Sequence, residues 1–128
     1  MNTSGDAKVC LVDDDSSVLR SMQYLLASDG IAVRAFNKPE EFLAHAAVHP
    51  VHVVVTDIWM PGVAGLEILA RTCAISPRPR VIVITARDDL AARATAMAIC
   101  PVAFFIKPFN DEQFLAAVHD ALAQAETL

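Results

Sequence analysis

Three consecutive carboxylates, Asp13, Asp14 and Asp15, follow the apolar run KVCLV (8–12), and a fourth, Asp57, follows VHVVVT (51–56). Two more polar groups stand in the same relation to apolar runs: Thr85 ends RVIVIT (80–85), and Lys107 follows VAFFI (102–106). Brought together, these groups share one chemistry. Crowded carboxylates repel one another, and a hard divalent cation is their natural counter-charge; Mg2+ suits a few carboxylates completed by water and phosphate oxygens. A lysine ammonium and a threonine hydroxyl would stabilise the equatorial oxygens of a phosphoryl group in transfer. A carboxylate can itself attack phosphorus to give an aspartyl-phosphate. Asp57 is the candidate nucleophile, since it would lie between the acid cluster on one side and Thr85 and Lys107 on the other. Taken singly, each group has a plainer role. DDDSS (13–17) suits a helix cap, Thr85 a strand end, and Lys107 before Pro108 a solvated loop.

These residues meet only if the elements that carry them end at one place. Short apolar runs alternate with amphipathic ones along the whole chain. Strands are expected over 8–12, 31–36, 51–56, 80–85 and 102–106, and helices over 16–28, 38–47, 64–73, 89–98 and 110–125. Val18, Leu19, Met22, Leu25 and Leu26 share one face of the first helix, which Asp29-Gly30 should stop. Asn110, with Gln113 three residues on, marks the start of the last helix. Continuous Val/Ile runs imply strands covered on both faces, and strict alternation implies a parallel sheet. The expected fold is an α/β three-layer doubly wound (βα)5 sandwich of flavodoxin-like type, with strand order 2-1-3-4-5. All strand C-termini then share one edge, and strands 1 and 3 flank the point where strand order reverses. Asp13, Asp14, Asp57, Thr85 and Lys107 all fall on that edge.

Composition limits the alternatives. With 128 residues, 55% hydrophobic, one domain with a real core is expected: a disordered lead-in over 1–7 and a folded domain over 8–126. A net charge of −5 gives no basic footprint for direct nucleic-acid contact. No apolar run is long enough for a membrane span, and MNTSGDAK lacks the pattern of a signal peptide, so a cytoplasmic location is expected. Cys10, Cys73 and Cys100 are an odd, widely spaced set, read as reduced thiols without a disulfide or zinc site. His45 and His49 have helical i,i+4 spacing, but no third ligand lies nearby, and a helix surface explains them.

In order and spacing, LVDDD, VTDIWMPGVAGLEIL, VIVITA and FFIKPF resemble the receiver domains of bacterial two-component response regulators over residues 8 to about 125. The resemblance implies Asp57 as phospho-acceptor and Mg2+ as cofactor. Asp14, Asp57 and the backbone carbonyl of Trp59 would bind the ion, and Asp13 would hold a metal-bound water. Thr85 would be the switch hydroxyl, Lys107 its partner at the phosphoryl group, and Phe104 the aromatic that follows the switch. The Lys107–Pro108 bond would be cis. Trp59 and Arg87 would flank the access of water to the phosphoryl group. The partner would be a sensor histidine kinase or a phosphotransfer protein, and a phosphorylation-dependent homodimer would use the face of the fourth helix, fifth strand and fifth helix. The domain would act as a signalling switch rather than an enzyme, and motif spacing is most like that of receivers joined to helix-turn-helix DNA-binding domains.

One departure concerns the turn before the fifth strand. Where the family usually has Gly-Ala, this chain has Cys100-Pro101, so the end of the Ala-rich fourth helix should be built differently. Two rival readings compete with this one. Asp13-x-Asp15-x-Ser17 is similar to the opening motif of haloacid-dehalogenase-type phosphatases, which would make Asp13 the nucleophile, but it leaves the Asp57 turn unexplained. A receiver-like binding module that is never phosphorylated is disfavoured by the complete set of site residues.

Overall fold

The computed structural model describes residues 7–58, 65–86, 90–100 and 103–126. Along these residues strands and helices alternate: β1 (Val9–Val12), α1 (Ser16–Ser28), β2 (Val33–Phe36), α2 (Pro39–Ala46), β3 (Val53–Asp57), α3 (Gly65–Cys73), β4 (Arg80–Thr85), α4 (Leu90–Ile99), β5 (Ala103–Ile106) and α5 (Asp111–Glu126). All pairings are parallel, and the strand order is β2-β1-β3-β4-β5, the order expected from the alternation.

The two-residue period of the strands divides the core into layers. Val9 and Leu11 of β1, Val53 and Val55 of β3, and Ile82 and Ile84 of β4 face α1 and α5, where they meet Leu19, Met22, Leu26, Phe114 and Val118. On the opposite face, Cys10, Val12 and Val54 pack with Phe42 of α2. Val81 and Val83 on that face meet Leu69 and Cys73 of α3 and Ala96 of α4. Burial on both faces is why β1 and β3 read as unbroken apolar runs. Among the described residues no helix is long and apolar enough to cross a membrane.

Local chemistry sets the helix ends. Asp15 is the N-cap of α1, and its carboxylate accepts from the N–H groups of Ser17 (2.9 Å) and Val18 (3.3 Å). At the other end, Gly30 takes φ 78°, its N–H donates to Ala27 O, and the Ile31 N–H donates to Leu26 O. This paired closure needs a left-handed residue, which glycine supplies without a Cβ penalty. It also occupies Ile31, so β2 starts at Val33 rather than at 31 as the apolar pattern suggested. Asn110 caps α5 by accepting from the Gln113 N–H at 2.9 Å.

The cysteines correct the sequence reading. Cys73, the last residue of α3, and Cys100, just after α4, are joined as a disulfide across 27 residues, with Cα atoms 6.4 Å apart. They meet because α3 and α4 lie side by side on one sheet face, a tertiary fact that sequence spacing does not carry. Cys10 is a buried free thiol whose pKa burial pushes up to about 11, against a lesser opposing effect of the Arg34 charge. Cys100 also departs from a glycine-type helix stop: its N–H donates to Ala96 O at 3.2 Å, and among the described residues no non-glycine has positive φ. The His45 and His49 rings stack at 4.4 Å on the surface beside α2, and His49 Nδ1 lies 3.3 Å from His45 O.

Phe114 is fully buried and contacts Phe105 and Phe109 at ring-centroid distances of 5.9 and 4.8 Å. Phe114→Ala should therefore destabilise the domain by about 3–5 kcal/mol in urea denaturation. A loss below about 1 kcal/mol would contradict this packing of α5.

Candidate functional site

At the shared C-terminal edge of the sheet, the strand ends hold their neighbours at fixed heights. The Asp13 N–H donates to Phe36 O at 3.1 Å, extending the β1–β2 pairing by one residue. The Lys107 N–H donates to Thr85 O at 2.7 Å, which does the same for β4 and β5. Asp57 is the last residue of β3, in register with Ile84 of β4. Asp13, Asp57 and Thr85 thus come to one place, and all three are buried. The Lys107–Pro108 peptide bond is cis.

One ammonium links the two buried acids. Lys107 Nζ donates to Asp13 Oδ2 at 2.9 Å and to Asp57 Oδ2 at 3.1 Å. For Lys107, burial is the largest single influence and works to lower its pKa. The hydrogen bonds and charges of Asp13 and Asp57 together outweigh it and hold the pKa above the ordinary lysine value. For Asp13, burial dominates and raises the carboxyl pKa, and the Asp57 charge adds to the rise. The Asp15 N–H, at 2.9 Å from Asp13 Oδ1, and Lys107 pull the other way without cancelling it. The two ends of this pair therefore differ: from the lysine the contact is favourable, while from Asp13 the cost of burial prevails. Removal of charged groups from water explains both, because an ion pair in a low-dielectric site recovers only part of the hydration it loses.

The acid run divides its labour. Asp13 points to the buried site, Asp14 is exposed, and Asp15 caps α1. The helix-cap reading of DDDSS thus holds for Asp15 and not for Asp13. The same division counts against a phosphatase motif, because Asp15 is committed to α1 and Asp13 to Lys107.

Among the described residues no three carboxylate, imidazole or thiol side chains converge as a ready-made metal site. The donor chemistry nevertheless fits Mg2+, since Asp13 and Asp57 offer only hard oxygens beside one ammonium, while Asp14 is exposed and is not brought together with them as a third side-chain ligand. Trp59 and Arg87 lie outside the described residues. Phe104 sits in β5, partly buried against the cluster that holds Cys73 and Cys100, with the Arg93 guanidinium 5.3 Å from its ring centroid. No motif announces the Arg93 contact, which depends on how α4 lies over β5. Beside Lys107, a groove of about 370 Å³ runs between α1 and the start of α5, lined by Val18, Met22, Leu25, Pro108 and Phe109 among others.

The sequence matches the response regulator receiver domain over residues 9–119. It is 35% identical over 117 residues to the transcriptional regulatory protein FixJ of Azorhizobium caulinodans, covering 91% of this chain and 56% of that protein. To FixJ of Bradyrhizobium diazoefficiens it is 35% identical over 127 residues, covering 98% of this chain and 60% of that protein. A solved response regulator receiver protein from Burkholderia phymatum superposes with a TM-score of 0.79 at 38% identity, covering 90% of this chain and 94% of that one. The chain spans little more than half the length of these two FixJ relatives. Since the match runs from the start of β1 well into α5, this chain belongs to the receiver domains of two-component response regulators.

Proposed function

We propose that Asp57 accepts a phosphoryl group from the phospho-histidine of a sensor histidine kinase or phosphotransfer protein, and that this biases the face formed by α4, β5 and α5. The observation that carries the proposal is the Lys107 ammonium held between Asp13 and Asp57 at 2.9 and 3.1 Å. A carboxylate oxygen of Asp57 attacks phosphorus as the phosphorus–nitrogen bond to the donor imidazole breaks. Lys107, already beside that carboxylate, would neutralise an incoming phosphoryl oxygen without reorganising. Thr85, buried at the end of β4, would donate its hydroxyl to a second oxygen.

Asp14, Asp57 and the Trp59 carbonyl would hold Mg2+, with Asp13 acting through a water. The ion would supply charge neutralisation at the phosphoryl oxygens. The groove between α1 and the start of α5 opens beside Lys107 and suits the approach of a donor protein.

The output follows from a shift between two populated arrangements. Phe104 and Thr85 would move together, and the α4–β5–α5 face would then favour a homodimer or another partner. A transcriptional role, a cytoplasmic location and the absence of a separate enzymatic activity belong to the same reading. The naming of two relatives as transcriptional regulators supports the first of these.

Asp57→Asn should abolish labelling by acetyl phosphate and leave the fold intact by circular dichroism. Labelling that persists in this variant would remove Asp57 from the role. Asp14→Ala should weaken Mg2+ binding by on the order of tenfold or more, since even a supporting partner of a ligand costs that much. Trp59, the one tryptophan, gives the readout: its fluorescence should titrate with Mg2+ in the wild type, and a flat titration would count against the site. Signal lifetime supplies another test. A large indole at 59 and a cation at 87 would exclude or fail to activate the attacking water, since arginine stays protonated. Autodephosphorylation should therefore be slow, and Trp59→Asn combined with Arg87→Glu should speed it by about tenfold, a barrier change of about 1.4 kcal/mol. Unchanged decay in the double variant would place control of lifetime elsewhere.

A further inference from the structure

We propose that Cys73 and Cys100 are a redox-responsive crosslink that pins the end of α4 to the end of α3 and thereby holds the switch face in its resting arrangement. The role given to α4 rests on the phosphorylation reading above; the crosslink itself does not. The two cysteines are buried together with Leu69, Val81, Val83 and Ala96, and Phe104 packs against the same cluster. The bond thus closes at the patch where the candidate switch aromatic sits.

Helix α4 has little else to hold it. Among its described residues Ala96 is buried, Ala92 and Ile99 are partly buried against the same cluster, and Leu90 is 76% exposed and Met97 45% exposed. A methyl side chain removes little apolar area from water, so packing alone secures α4 weakly. A covalent tie at its C-terminal end is then a large part of its attachment. The same structure contains the bond and Lys107 paired to both Asp13 and Asp57, the arrangement that precedes a phosphoryl group. The bond is therefore compatible with the resting state and should favour it.

The chemistry is thiol–disulfide exchange, with a low-molecular-weight disulfide as oxidant. The thiolate of one cysteine attacks a sulfur of that disulfide, whose sulfur–sulfur bond breaks to release one small thiol. The second cysteine thiolate attacks the protein sulfur of the mixed disulfide and releases the other small thiol. Two electrons pass from the cysteines to the small disulfide, and the two protons leave with the released thiols. A dithiol reverses the sequence. In a reducing compartment such a pair rests reduced, and it closes as the poise rises. Both cysteines are buried, so exchange requires the end of α4 to open. Anything that loosens α4 then also exposes the bond. Cys10, confined within β1 on the other side of the sheet's midpoint, has no partner within reach of this chemistry.

Coupling between two sites is reciprocal. If the crosslink favours the resting position of α4, beryllofluoride with Mg2+ should bind the oxidised protein more weakly. Beryllofluoride should in turn shift the disulfide equilibrium toward thiols by the same factor, on the order of fivefold or more. The test uses the full chain equilibrated in glutathione redox buffers. Alkylation under denaturing conditions, read by mass, should find one free cysteine in the oxidised protein and all three in the reduced protein. Amide exchange in α4 should be slower in the oxidised form. Cys73→Ser and Cys100→Ser should each exchange like the reduced wild type in both buffers, as should the double variant Cys73→Ala, Cys100→Ala. Three alkylated cysteines under oxidising buffer, or α4 exchange that ignores redox state, would overturn the crosslink. Equal beryllofluoride affinity in both states would overturn the coupling. No beryllofluoride binding in either state would instead overturn the phosphorylation reading and the coupling with it, while thiol count and amide exchange would still decide the crosslink.

Discussion

Two carboxylates are buried within reach of a single ammonium, and the rest of the molecule is arranged so that this is tolerable. Asp13 and Asp57 come from neighbouring strands, and burial costs each of them hydration that the shared ammonium partly offsets. Lys107 reaches both because β5 ends level with β4, which in turn ends beside β3. The strand order is therefore not a neutral scaffold. With β1 and β3 adjacent and β5 two strands further along, one long side chain can span the gap between the lysine backbone and both acids. Burial holds the Asp13 carboxyl above its ordinary pKa in spite of that ammonium. If both carboxylates are ionised, one ammonium leaves a net negative charge, which supports the proposed cation.

The two faces of the sheet are held with unequal strength. Beneath α1 and α5 lies the larger cluster, with Phe105, Phe109 and Phe114 in mutual contact and strand residues from β1, β3 and β4. The cluster beneath α3 and α4 is smaller, and α4 contributes to it chiefly through alanine. A stiff layer on one side and a lightly attached helix on the other give a molecule that can move one helix without losing its core. The disulfide lies on the light side, where a single covalent bond has the most to change.

Much of this was legible because the relevant signals were local or repeated. The β1 run, the Asp29-Gly30 stop and the Asn110 cap each depend on a few adjacent residues and appear where the pattern put them to within a residue, while β3 runs Val53–Asp57 rather than 51–56. The acids, Thr85 and Lys107 fell on one edge because parallel strands leave no other arrangement. Boundaries shifted where a neighbouring motif claimed a residue, as the α1 closure claimed Ile31. Contacts between elements were not legible. Cys73 and Cys100 are 27 residues apart and meet only once α3 and α4 pack; Arg93 meets Phe104 only once α4 lies over β5. Spacing in the chain carries no record of either.

The link between β1 and α1 has no slack. Val12 ends the strand and Ser16 begins the helix, and the three acids between them are each spent differently: one faces the site, one faces solvent, and one caps the helix while its own N–H steadies the first. Length is therefore as constrained as composition here. An extra residue would turn the wrong carboxylate inward and uncap α1 in the same step, while a deletion would strip the site of an acid. Any drift in the length of this connection would therefore cost the chemistry and the neighbouring helix together.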